Sequence, residues 1–227
     1  MAMATELKFD ELNRLGERKP KPIPYREFFG KMRISPAQMR ERIELAEDIE
    51  DAMLFVFAYW LIREDLGYTD SDMRQMTKEK LTEVFDKYGK SDAYITKHIE
   101  DVSNEIIDAT ARHTRVDNAV DEPTESTETG YWTSLDRAMI IAENEANSFT
   151  NYTEYRSAKA KGYTKKRWLT ELDDRVRLTH TLVESKTVDI DGLFLVGDSL
   201  MRFPRDNEYD PDPSEVVNCR CACVYEP

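Results

Sequence analysis

Glycine, cysteine and histidine are all scarce in this chain: its 227 residues include eight Gly, three Cys and three His. The cysteines fall together as Cys219, Cys221 and Cys223, an odd count with no distant partner, which excludes a disulfide framework. No glycine-rich phosphate loop is present, so no nucleotide-binding fingerprint offers itself. Long hydrophobic runs are missing as well. The strongest, from Met53 to Ile62, is ten residues long and flanked by acids, whereas about 20 apolar residues span a bilayer. It reads as core or interface, and no membrane partner is expected. The first residues lack the basic start and apolar stretch of a secretory signal, so synthesis in a cytoplasm is expected.

Acid is what the chain has in excess, with a net charge of −13. Such a surface repels phosphate, because nucleic-acid affinity comes mostly from Lys and Arg displacing counterions. Any DNA contact must therefore be local. The basic cluster at 159–167 is the candidate, with Lys159, Lys161, Lys165, Lys166 and Arg167. Its first two residues close a predicted helix, where the dipole favours cations without any ligand.

Four regions follow from composition and periodicity. Residues 1–34 read as an extended arm, since Pro20, Pro22 and Pro24 alternate; it either hugs the surface as a tail or docks into a groove on a neighbouring subunit, with Ile23, Tyr25, Phe28 and Phe29 as anchors. Residues 35–114 read as a helical bundle. Ser35-Pro-Ala-Gln38 is a capping signature, and the helix it opens should run to about Leu66 and stop at Gly67. From Leu54 to Ile62 apolar residues cover every face, so that part must be enclosed. Asp70 or Ser71 is expected to cap one short helix, Thr77 to start another, and Ser91 to cap a third. His98 and His113 read as ordinary helix residues. Residues 115–131 are polar and acidic, the composition of a flexible linker. Residues 132–227 then give a long helix, capped at Thr133, and several short strand patterns: Trp168, Thr170 and Leu172; Val188 and Ile190; Phe194 to Val196; and Val216 to Val224. The fold class is α+β.

On an extended chain Cys219, Cys221 and Cys223 share one face. With His180 they suggest a structural zinc site of His180, Cys219 and Cys221, with Cys223 or Asp173 as fourth ligand. The alternatives are a reduced, metal-free apolar strand, and a catalytic thiol. Asp173, Arg175, Arg177 and Arg220 form a second constellation, suited to carboxylate–guanidinium pairing with Asp173, Asp191 or Glu145. Its catalytic rival would use Glu145, Asp173 and His180 as acid, base and orienter. No catalytic residue is assigned.

Several residues occur in a telling order: Glu145-Ala146-Asn147; Trp168; Asp173, Arg175-Val176-Arg177 and His180; Ile190, Asp191 and Phe194; Gly197; Pro204 and Asp206; and Asn218-Cys219-Arg220-Cys221. This order resembles the C-terminal domain of the phage head-morphogenesis, Mu F-like minor head proteins, over about residues 132–225. The resemblance implies a phage structural protein associated with the portal or major capsid protein inside the virion, with roles in head assembly and DNA packaging or delivery. It implies no established enzymatic activity and no cofactor. Two departures stand out: Val183 to Lys186 replace a turn in which the family usually has a Gly, and Cys223 is extra. The rival reading is a metal-dependent hydrolase or toxin-like effector packaged in the virion.

Overall fold

The computed structural model describes residues 23–89, 91–114 and 129–227. Helix α1 spans Tyr25–Gly30 and α2 spans Pro36–Ile62. They are followed by α3 over Asp70–Tyr88, α4 over Ala93–Thr114 and a single turn, α5, at Thr129–Trp132. The long helix α6, Leu135–Ala160, leads into β1, Lys165–Leu169. After it come α7 (Leu178–Thr181), β2 (Thr187–Asp189), β3 (Phe194–Val196) and β4 (Ser199–Met201). Helix α8 (Pro213–Val216) and strand β5 (Ala222–Glu226) end the chain. The strands form an antiparallel sheet in the order β2-β1-β5 and a separate β3-β4 hairpin. This is an α+β fold.

The cap at Ser35 is as the sequence predicts, with the Ser35 hydroxyl accepting from the Gln38 amide and the Gln38 side chain accepting from the Ser35 amide. Further along, several expectations are corrected. Helix α2 ends at Ile62, and a turn carries the chain to Gly67, whose φ of +73° suits glycine. The two short helices expected after Asp70 are one helix, because Thr69 forms a full capping box with Asp72 and no breaker follows. Asp92, not Ser91, accepts the Ile95 amide at the start of α4. Ser134, not Thr133, caps α6.

The arm expected over 1–34 is corrected at its described end. Tyr25, Phe28 and Phe29 lie on one face of α1 and are buried in the chain's own core, so they are not free anchors. Residues 1–22 lie outside the described residues, as do 115–128 of the expected linker; 129–132 form α5. The hydrophobic core is continuous from Tyr25 to Cys223, with α6 packed along α2. Among the strand patterns, β1 stops at Leu169 because Leu172 has a φ of +59° and is exposed. The last strand starts at Ala222, since α8 and a turn at Asn218 (φ +55°) occupy the positions before it. The turn lacking glycine keeps the left-handed geometry, at Ser185 with φ +58°. There the Ser185 amide donates to the Trp168 carbonyl (2.9 Å), and Glu184 accepts from the Ser185 hydroxyl (2.7 Å).

A buried arginine joins the helical half to the sheet half. Arg42 on α2 donates through Nε to Asn147 Oδ1 (3.1 Å) and through Nη2 to Asn151 Oδ1 (3.2 Å). It also forks onto Glu154, at 2.7 and 3.1 Å. All three acceptors stand on one face of α6 at helical spacing. Replacing Arg42 by Met strands these buried acceptors and should cost about 3–5 kcal/mol in urea denaturation. Arg42→Lys should recover little of it, because an ammonium lacks the fork that reaches three partners.

Candidate functional site

The asparagines that Arg42 orients turn their amide groups toward the cysteine segment. Asn147 Nδ2 donates to the Cys219 carbonyl (2.9 Å), and Asn151 Nδ2 donates to the carbonyls of Cys221 and Pro204 (3.2 Å each). One turn earlier, Asn144 clamps the left-handed Asn218: its Oδ1 accepts the Asn218 amide at 2.7 Å and its Nδ2 donates to Asn218 Oδ1 at 2.9 Å. These bonds fix the backbone of a segment with few ladder partners of its own.

The segment so held presents Cys219 and Cys221 to His180 on α7. His180 Nδ1 lies 3.3 Å from Cys221 Sγ and 3.7 Å from Cys219 Sγ, and the three donor atoms all lie within 4.8 Å of one another. On the far side of the ring, Nε2 lies 3.0 Å from Glu215 Oε2, and the same oxygen accepts from the Thr179 hydroxyl at 2.7 Å. Glu215 comes from α8 and approaches Gly197 closely. A Cβ on Gly197 would sit 2.6 Å from Glu215 Oε1, and Gly197 has φ +58°, so both space and backbone call for glycine. Trp168, fully buried on β1, sets its ring edgewise against His180, with centroids 5.8 Å apart.

Within this cluster, the bond from Cys221 and then the His180 imidazole outweigh burial and hold the Cys219 thiol well below its usual range. Burial pushes Cys221 well above it. Cys223 stands apart from the three. It pairs across the sheet with Trp168, and burial pushes its thiol up. Asp173 is engaged elsewhere, accepting twice from Arg220 at 3.0 Å. All three thiols are free and buried.

The Arg220–Asp173 pair is the carboxylate–guanidinium contact anticipated for the second constellation, and Glu171 joins it as a further counter-ion. Arg177 instead donates to the Val217 carbonyl. Asp191 accepts from Tyr155 (2.8 Å) and Lys159 (2.5 Å). Glu145 is buried against His98, 2.7 Å away, and Arg205, 3.7 Å away. Thus Glu145, Asp173 and His180, the acid, base and orienter of the catalytic rival, engage three different sets of partners. Phe194 packs on Trp168 with centroids 5.1 Å apart. The basic run at 159–167 is not one solvent-facing stripe: Lys166 is fully buried and donates to the Ile190 carbonyl, while Arg167 pairs with Glu226.

Sequence reasoning missed Glu215, Arg42, Arg205, Asn144 and Asn151. The two asparagines carried a signal, since they continue the helical face of Asn147 at spacings of three and four; Glu215 and Arg205 lie in loop-rich sequence with none.

The geometry defines an α+β protein in which a buried His–Cys cluster is strapped to a long helix. The family model described as "Phage Mu protein F like protein" matches residues 87–224, and the chain belongs to that phage Mu F-like family. The match begins in α3, so the family unit includes α4 as well as the region after residue 132. A curated relative, the NAD(+)–arginine ADP-ribosyltransferase EFV of Enterococcus faecalis (strain ATCC 700802 / V583), is 36% identical over 95 residues. That similarity covers 40% of this chain and 19% of the relative, so the chain spans about a fifth of that protein's length. No solved structure matches the chain.

Glu143 gives the site region a pH dependence. Burial pushes its carboxyl up to about 7, against the opposing pull of Arg175, Arg205 and Arg220. A carboxyl raised from 4.5 to about 7 by folding contributes stability that is complete below 4.5 and is lost as pH rises through about 7. Glu143→Gln should remove that loss. Its urea midpoint should rise relative to the parent above about pH 7, and the difference should shrink toward pH 4.5.

Proposed function

We propose that the chain is a phage minor head protein that seats on the portal from the capsid interior and assists head assembly and DNA packaging or delivery. The observation that carries this reading is the Mu F-like family match, which takes in the whole ordered set from Glu145 to Cys221. The arrangement of that set supports a structural role, because its members bind one another: Asn147 the cysteine backbone, Arg220 Asp173, Trp168 Phe194 and His180.

Docking falls to the end of α2 and the turn after it. Here the expectation that residues 54–62 are enclosed holds for Val56, Phe57 and Trp60, which are buried, while Phe55, Leu61, Ile62, Leu66 and Tyr68 are exposed. Phe55 packs against Tyr59 (4.7 Å between centroids), and Tyr59 stacks on Tyr68 (6.2 Å). Exposed apolar side chains of this kind on a charged protein suit a protein partner. Repetition around a portal ring would add avidity to individually modest contacts. Contact with packaged DNA would fall to Lys161 and Lys165, which are exposed. The purified chain should bind its cognate portal, and Ile62→Asp with Leu66→Asp should weaken that binding by about tenfold or more, while leaving the fold's circular dichroism unchanged. Undiminished binding by the double variant would move the interface elsewhere, and no binding by the parent would remove the portal as partner.

A second reading, an effector carried in the head, is favoured by the similarity to the EFV transferase. It requires the purified chain to transfer ADP-ribose from NAD+ to arginine; no label transfer to an arginine-rich acceptor would sink it.

A further inference from the structure

We propose that His180 Nδ1, Cys219 Sγ and Cys221 Sγ bind one zinc ion, with Glu215 orienting the imidazole and a narrow cleft beside Glu171 holding the remaining coordination position. Thiolate and imidazole are the donor set for a borderline-soft dication, and unsuited to magnesium or calcium.

Distances support a common centre. With Zn–S of about 2.3 Å and Zn–N of about 2.0–2.1 Å, the N···S edge of a tetrahedron is about 3.6 Å. The two N···S separations here, 3.3 and 3.7 Å, bracket that value. One imidazole lone pair at Nδ1 faces two sulfurs, while the other ring nitrogen is taken up by Glu215. A carboxylate on the distal nitrogen is the arrangement that fixes the tautomer of a metal-bound histidine. The carbonyls of both cysteines are tied to α6 through Asn147 and Asn151, so the sulfurs are positioned before any ion arrives.

The cleft supplies an independent observation. His180, Cys219 and Cys221 line it together with Glu171 and Arg220. The Glu171 side chain is 1% exposed and pairs with the Arg220 guanidinium, while among the described residues neither of its carboxylate oxygens has a well-aligned hydrogen-bond donor. A zinc-bound water at the fourth position would give Glu171 a well-aligned donor beside that ion pair. In the bound state both cysteines are thiolates and the protons the cluster held pass to solvent, so the dication and two thiolates sum to zero charge in a buried place.

The proposal is tested on the full chain, independently of portal binding. Protein expressed with zinc should retain about one zinc per chain after gel filtration. After chelation, added Co2+ should produce sulfur-to-cobalt charge-transfer and tetrahedral d–d absorption that Zn2+ abolishes and Mg2+ does not. Cys223→Ser, outside the cluster, should keep this spectrum, whereas Cys219→Ser and Cys221→Ser should lose it. Glu215→Gln should weaken zinc affinity by about 10–100-fold. The parent's own spectrum decides the matter even where a variant fails to fold. Folded parent protein that carries no zinc and gives no cobalt–thiolate absorption overturns the site, as does a mass two hydrogens light from a Cys219–Cys221 disulfide.

Discussion

One guanidinium governs how the halves of this molecule meet. Arg42 is fully buried, and burying a charge is costly unless every polar neighbour answers it. Glu154 supplies the counter-charge, and Asn147, Asn151 and the Gln38 carbonyl supply further acceptors. Because each of those amides then has only its NH2 group left, it must find a further acceptor close by. The carbonyls of Cys219 and Cys221 are those acceptors. Position thus passes from α2 through α6 to the cysteine segment, one hydrogen bond at a time, and each bond is strengthened by the low dielectric around it.

The same logic explains why the cysteine segment is not a regular strand. Asn218 occupies a left-handed position that a strand cannot include, and Asn144 holds it there from both ends of its amide. The turn brings Cys219 and Cys221 round to His180. Without it the alternation of a strand would have sent all three cysteines to one flat face. Cys223, already in β5, follows the strand rule and packs opposite Trp168.

How much of this was legible beforehand can be seen residue by residue. The start of α2 was plain from Ser35 and Gln38, because a capping box is local chemistry. Cys219, Cys221 and His180 could be singled out as donors from their scarcity. The carboxylate completing the ring's environment could not: Glu215 is one acid among 45 Asp and Glu in the chain, and reaches His180 only because Gly197 leaves room. Aromatic residues misled in the same way. Tyr25, Phe28 and Phe29 look like anchors when the preceding prolines suggest an extended path, yet their spacing also suits one helical turn. The core at α2 selected the helix.

The amino-acid sequence by itself determined the class of elements, the α+β character, the caps, the family and the donor atoms available near the C-terminus. These depend on neighbours within a few residues or on residue order. Tertiary structure alone decided which acid faces which base, that the N-terminal aromatics belong to the core, and that a cysteine pair converges on a histidine some 40 positions earlier, Cys221 lying 41 residues beyond His180. Those outcomes rest on buried polar groups seeking partners across the fold, a requirement that periodicity does not encode.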